Sequence, residues 1–430
     1  MIFINNATII TQDKNRRIID NGAILIKENK INDIDKTKDV IKRQNIRNAK
    51  IINGENKVVM PGLINTHTHL AMSLLRGFAD DMPLEKWWFE KIFPFEAKLT
   101  AEDIYWGTLL GGLEMIKSGT TAFFDFYFFT DAIARATKEL GLRANIGVPV
   151  IDAKTPEFAT PRHALAAIPQ IIKRHRNEPL IDFSIAPHMI QTTSLETYKK
   201  CKKTANKYNL ILQTHLAETK GEIKYSIKKY GKPPAELLVR NKVLDKNSIA
   251  AHACYLNSKE IKLISENRVK IAHCPTSNMK LASGIKPLKE LLAANATIGL
   301  ATDSACSNNN LDMFEEMKFA ALLHKINRQD PAIANAQLIL DMATINGAKV
   351  AGKEKEIGSL EKGKKADIII IDFNQPHLLP THNFISHLVY SANGADVITT
   401  IVNGKILMEN RKILSVDENK ILNVVRLKYP

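Results

Sequence analysis

Eight short runs rich in β-branched and aromatic residues punctuate the chain, each followed by a longer stretch of helical character. They are "KVVMPGLINTHTH" (57–69), "TTAFFDF" (120–126), "RANIGVPV" (143–150), "IDFSIAPH" (181–188), "NLILQTH" (209–215), "SIAAH" (248–252), "VKIAH" (269–273) and "TIGLATD" (297–303). Strands that alternate with helices pair in parallel, because each helix carries the chain back across the sheet. Eight such units are the number that closes a parallel sheet into a cylinder. The pattern therefore predicts an α/β fold, a (β/α)8 TIM-type barrel over residues 57–356. Helix punctuation agrees: Thr100 is placed to cap "AEDIYWGTLLGGLEMIKSG", and Gly119 to stop it.

The two ends of the chain read differently. Residues 1–56 and 357–430 carry short alternating segments, "MIFINNATII", "GAILIKENKI", "KADIIIIDF" and "ITTIVNGKILMEN". Turn signals accompany them at "NGAI" and "VNGK". Two pieces of like character predict one small β-sandwich domain, with residues 1–56 as its first part and 357–430 as its second.

How the eight runs end says more than their number. Five stop at histidine (His69, His188, His215, His252, His273), the last stops at Asp303, and the second holds Asp125 near its end. The whole chain has only 12 histidines. Barrels of this kind place their chemistry at the C-terminal ends of the strands. His67 and His69, two apart on one strand, point to the same face. With His215 and Asp303 they offer three imidazoles and a carboxylate, a donor set that suits Zn²⁺, with Fe²⁺ or another divalent ion as the alternative. Such an ion lowers the pKa of water toward neutrality. Glu218, three residues past His215, is placed to shuttle a proton; the ordinary reading is a solvated carboxylate in a helix's first turn. His252 is expected to polarise the attacking water, and Asp303 to accept its proton as well as to hold the metal.

Bulk properties exclude other classes. Of the residues, 45% are hydrophobic and 24% charged, ample for a soluble core, and no stretch is long and apolar enough to span a membrane. The start "MIFINNATIITQDKNRR" lacks the basic-then-apolar order of a signal peptide. Cys201, Cys254, Cys274 and Cys306 form no C-x-x-C pair, which fits a reducing cytoplasm. The net charge of +15 is spread through helices ("YKKCKKTANKY", "EIKYSIKKYGK"), not gathered into a patch, so no nucleic-acid partner is expected.

The ordered set of H-x-H after an apolar strand, a later histidine with glutamate three residues on, and the terminal "ATDS" resembles the amidohydrolase superfamily. More narrowly, "NTHTHLAMSLLRGFADDMPLEKWW", "FPFEAKLT", "APHMIQTTSLE", "HLAETKGEI" and "TDSACSNNNLDMFEEM" resemble the deaminases of 5-methylthioadenosine and S-adenosylhomocysteine and their aminohydrolase and chlorohydrolase relatives. The resemblance implies a single metal ion, since "IAPHMI" carries His188 and no bridging lysine on the fourth strand. It implies that Glu96 and His188 contact the ribose and tail of a nucleoside, and that Arg162 in "TPRHAL" meets a carboxylate tail. The implied reaction is hydrolytic deamination of an adenine nucleoside to an inosine-type product and ammonia, without an organic cofactor. The competing reading puts the same machinery on guanine, a pterin, cytosine or a triazine. Assembly into a homo-oligomer is implied too. "SACSNN" departs from the small-residue pattern of the family at Ser304 and Cys306, which bears on substrate preference.

Overall fold

The computed structural model describes residues 1–82 and 84–429. The chain opens with β1 (Ile2–Ile10), β2 (Ile18–Lys27), β3 (Lys30–Lys36), β4 (Lys50–Asn53) and β5 (Lys57–Pro61). The middle holds β6 (Leu63–Thr68), β7 (Thr120–Phe126), β8 (Arg143–Val150), β9 (Ile181–Pro187), β10 (Ile211–Leu216), β11 (Ser248–His252), β12 (Lys270–His273) and β13 (Ile298–Leu300). The last strands are β14 (Ile368–Asp372), β15 (Val397–Val402), β16 (Lys405–Glu409) and β17 (Lys412–Ile413).

Strands β6 to β13 lie side by side in chain order as one eight-stranded sheet, every pair parallel. Helices between them pack outside, several of them started by a side-chain cap. Thr100 and Asp103 form a reciprocal capping box on Ala101–Lys117, and Gly119 follows it at φ +86°. The sheet closes at its seam through side chains. Thr66 Oγ1 donates to the Leu300 carbonyl (2.9 Å), Asn65 Nδ2 donates to Thr302 Oγ1 (2.7 Å), and the Asp303 N–H reaches the His67 carbonyl (3.1 Å). Gly299 lets the strands approach, since a Cβ there would stand 2.5 Å from Thr66 Cγ2. This seam sets His67 beside Asp303.

One run differs from its reading. Residues 57–69 look like a single strand but are two, broken at Gly62. A Cβ on Gly62 would lie 2.1 Å from the Thr121 side chain, so only glycine lets the backbone pass there. Strand β5 leaves the barrel and pairs with β14 and β1.

The terminal strands form one mixed sheet of nine, ordered β17-β16-β15-β14-β5-β1-β2-β3 with β4 on β1. It folds over, so that the Ile31 N–H bonds the Lys364 carbonyl (2.9 Å), and it encloses Ile4, Ile24, Val59, Ile368, Ile370 and Ile401. The "VNGK" signal makes the β15–β16 hairpin, with Asn403 and Gly404 both left-handed (φ 50° and 76°). The "NGAI" signal makes no turn. Asn21 and Gly22 sit inside β2 at an irregular register against β1, where a Cβ on Gly22 would meet Ile9 at 2.5 Å.

The terminal sheet docks on the N-terminal ends of barrel strands. Arg143, opening β8, forks onto Asp367 (2.9 and 3.1 Å), and the Gly62 N–H bonds the Asp367 carbonyl (3.0 Å). The opposite end of the barrel is thereby left to the site. Two helices of the C-terminal piece, Phe384–Tyr390 and Glu418–Lys428, lie outside the sheet; the second ties to the barrel through Lys117 and Glu418 (2.5 Å). Among the described residues no helix is long and apolar enough to cross a membrane.

Candidate metal and catalytic site

His67 and His69 leave the end of β6 edge to edge, ring centroids 4.9 Å apart. His215 projects from β10 to bring its Nε2 within 3.3 Å of His69 Nε2. Asp303 Oδ1 lies 3.3 Å from His69 Nε2 and 3.6 Å from His67 Nε2. Second partners fix the rings: His69 Nδ1 meets the Phe126 carbonyl, and His215 Nδ1 the His188 carbonyl (3.1 Å). Protons held there leave both Nε2 lone pairs facing inward. Ser277 and Ser307 both donate to Asp303 Oδ2 (2.6 and 2.9 Å), which keeps Oδ1 turned to the imidazoles. Burial works to raise the Asp303 pKa, but the neighbouring imidazoles of His69, His252 and His67 hold it well below the usual range.

The fit to a divalent ion is chemical. His67 Nε2 is buried with no hydrogen-bond partner, an arrangement that proteins avoid unless something else satisfies the lone pair. The donor atoms of His67, His69 and Asp303 all lie within 4.8 Å of one another, and so do those of His67, His215 and His252. Neutral imidazoles with one carboxylate suit a borderline cation.

Beside this cluster stands a second pair. Glu218 Oε2 is 3.6 Å from His252 Nε2, both side chains being buried. Glu218 sits on the turn after β10, where Ala217 is left-handed (φ 50°). The Glu222 carboxylate pins that turn by accepting the N–H groups of Ala217 (3.0 Å) and Glu218 (2.9 Å). His252 ends β11 with φ at 68°, a strained conformation for its type, and its Nδ1 meets Asn278 Nδ2 (3.0 Å). Burial raises the Glu218 pKa above the ordinary carboxylate value.

A cavity of about 270 Å³ opens over these groups. His69, His215, Glu218, His252 and Asp303 line its inner part, and Glu96, Trp88, Phe126 and His188 contribute to the wall. Burial lifts the Glu96 carboxyl to about 7, against the Tyr127 hydroxyl that donates to it (2.9 Å). Burial also drops His188 to about 3. The structure thus places Glu96 and His188 in the wall of the same cavity.

Other expectations fail on geometry. Arg162 is exposed in the first turn of helix Pro161–His175 and is not part of the cavity wall, because its helix lies outside the barrel. Asp125 points away from the cavity and accepts the Leu70 N–H (2.7 Å), holding the chain just after His69. His273 pairs with His324 (Nε2 to Nε2, 2.9 Å) outside the site. Of the two departures in "SACSNN", Ser304 lines the cavity, whereas Cys306 is buried behind it. Ser277, Ser283, Ser307, Asn278 and Glu222 were not anticipated. Only Glu222 left a trace in the sequence, as an acidic residue three past the Thr219 cap.

Comparison with known proteins agrees with this geometry. The Amidohydrolase family model matches residues 58–407. A 5-methylthioadenosine/S-adenosylhomocysteine deaminase of Dictyoglomus turgidum is 42% identical over 421 residues, 98% of this chain and 96% of the relative. A 5'-deoxyadenosine deaminase of Methanosarcina acetivorans is 42% identical over 99% of this chain and 96% of its own. The crystal structure of an adenosine deaminase from Xanthomonas campestris with bound zinc matches at a TM-score of 0.96 and 32% identity, covering 99% of this chain and 97% of that one. Relatives that run nearly its whole length and share its barrel place this chain in a known group: it belongs to the amidohydrolase family.

Proposed function

We propose that this chain is a metal-dependent hydrolytic deaminase of adenine nucleosides, with 5-methylthioadenosine, S-adenosylhomocysteine and adenosine as candidate substrates. The observation that carries the reading is the Glu218–His252 pair standing beside the His67, His69, His215 and Asp303 cluster in one aromatic-walled cavity. The names of the full-length relatives support the substrate class. His67, His69, His215 and Asp303 hold the ion, with Zn²⁺ favoured by the donor set. When bound, such an ion supplies Lewis acidity and makes water easier to deprotonate at neutral pH.

The remaining work falls to side chains. Glu218, whose pKa burial raises, donates to ring N1 as water adds at C6, which relieves the charge that addition would build on the ring. Asp303 accepts the proton that the water loses and returns it to the amino group. His252 hydrogen-bonds the tetrahedral carbon's new hydroxyl. As ammonia leaves, the hydroxyl gives up its remaining proton, which restores the acid form of Glu218, and the C6 carbonyl remains, so one water is consumed for each ammonia released. Glu96 and His188 bind the ribose and its substituent. The four buried, unpaired cysteines suit a cytoplasmic enzyme.

The test is ultraviolet absorbance together with ammonia release, using metal-replete full-length protein. Methylthioadenosine, S-adenosylhomocysteine and adenosine form one panel; guanine, cytosine, a pterin and an amino- or chlorotriazine form the other. The expected result is an adenine-to-hypoxanthine shift with at least one nucleoside. Silence across the nucleosides with turnover in the second panel would transfer the machinery to another ring.

A further inference from the structure

One buried cation takes no part in the chemistry above. Lys286 is 1% exposed, and among the described residues it has no carboxylate partner. Its Nζ donates to the backbone carbonyl of His252, with the Cys254 and Cys274 thiols and the His273 and His324 rings nearby. A buried ammonium is costly, so its placement against that single carbonyl calls for a reason. The carbonyl belongs to a strained turn: His252 and Ala253 are both left-handed, at φ 68° and 53°. Non-glycine residues keep such a conformation only where neighbours over-determine it. The Ala253 N–H is held by the Leu216 carbonyl (2.8 Å), and Lys286 holds the other side of the same turn.

Lys286 does not act alone. Three residues earlier, Ser283 Oγ donates to Glu218 Oε1 (3.0 Å). The Ser283 N–H is fixed by the Asn278 carbonyl (3.0 Å), and the Asn278 amide meets the His252 ring (3.0 Å). Gly284 between them, at φ +152°, lets the loop pass under Tyr255, whose ring a Cβ would approach to 2.7 Å. One short loop therefore grips both members of the 3.6 Å pair, Glu218 by its carboxylate and His252 by its backbone.

We infer that the loop Leu281–Pro287 is a positioning clamp, in which Lys286 and Ser283 set the Glu218–His252 geometry and so govern the chemical step, leaving substrate and metal binding alone. This rests on the reading that Glu218 and His252 act on the substrate. Neither Lys286 nor Ser283 touches the substrate; both act through the pair.

The experiment measures kcat, KM for 5-methylthioadenosine, bound metal and Tm for K286M, S283A, H252N, E218Q and K286M/H252N in the full chain. K286M is expected to lower kcat by about 10- to 100-fold, and S283A by about 10-fold, with KM within about 2-fold and metal content unchanged, since small misplacements of catalytic groups fall on the rate. In the H252N background, adding K286M is expected to cost less than about 2-fold, because its effect travels through His252. A Tm loss with wild-type kcat per metal-loaded site, or full multiplication of the two effects, overturns the clamp. If K286M does not fold, S283A decides alone by the same split of kcat from KM. Full activity in H252N and E218Q would instead sink the proposed function. Inactive H252N and E218Q beside a wild-type rate in K286M and S283A sinks only the clamp.

Discussion

Two groups of histidines stand in the barrel, one gathered at strand ends and the other pairing the strand-end His273 with His324 of helix Met313–Arg328, and they do opposite things. His67, His69, His215 and His252 gather around Asp303 and Glu218 beneath a cavity. His273 and His324 face each other at 2.9 Å, with no carboxylate hydrogen-bonded to either ring among the described residues and no place in the cavity wall. Burial, with the charge of Lys286 second, drives both rings of the second pair toward the neutral form. In the first group Asp303 reverses that tendency for His69, which it raises against desolvation. A strand-end imidazole thus becomes reactive through the anion and the opening beside it, and remains packing material without them.

The comparison breaks most readily at its carboxylate. D303N removes both a donor to the ion and the acceptor of the water proton, while the oxygen that Ser277 and Ser307 grip can keep its place. The expected outcome is a loss in kcat of about 10⁴-fold, the upper range for removing a general base, together with loss of bound metal. Metal analysis by plasma emission and a steady-state assay check it. D303N that keeps its metal and more than about a tenth of its rate would falsify the role given to the first cluster.

How far the sequence carried these distinctions depends on the kind of contact. Strand periodicity placed His67 with His69, and the strand ends placed His215 and Asp303, because local geometry decides where such side chains emerge. "SIAAH" and "VKIAH" are both short apolar runs that end in Ala-His, yet His252 enters the cavity and His273 does not. The difference lies in the backbone after each strand: His252 turns left-handed at φ 68°, held by contacts from residues 278 and 286 that no local pattern announces. Gly62 was missed for a related reason. Pro61-Gly62 is a turn signal inside an otherwise β-favouring run, but the exchange of sheets is forced there by the approach of Thr121, far along the chain. Arg162 was transferred by resemblance through a loop whose register carries little information, and its helix lies on the outer face.

A smaller effect sharpens the comparison at the rim. Glu96 is a buried carboxyl with no ion-pair partner among the described residues, raised by burial to about 7, so both of its forms are populated near neutrality. Its carboxylate is the better acceptor for a ribose hydroxyl. E96Q imitates the protonated form and is expected to raise KM by about 10-fold at pH 8, in the range of one hydrogen bond to a charged group, with kcat nearly unchanged. As pH falls below 7 the wild-type carboxyl takes up its proton, and the two KM values are expected to converge. A KM ratio that stays constant from pH 6 to pH 8 would remove Glu96 from the substrate site.

The smallest expected effect concerns the second cluster and leaves the rate alone. His324 is 1% exposed, and its pKa falls to about 4, chiefly through burial and then through Lys286 and Arg328. In the unfolded chain it titrates near 6.5. Above that value the ring is neutral in both states, so its contribution to stability is complete. Between about 6.5 and 4 the unfolded ring takes up a proton that the folded ring refuses, and stability falls by up to about 3 kcal/mol. H324L leaves His273 Nε2 without its partner, which costs about 1–3 kcal/mol at pH 7.5. The same substitution removes the acid-side penalty of His324, so urea unfolding at pH 5 is expected to show the gap to wild type narrowed or reversed, with kcat at neutral pH within about 2-fold of wild type. A stability gap that does not change with pH would mean that the second pair is not held neutral by its burial, and the contrast between the two clusters would then rest on the cavity and the carboxylates alone.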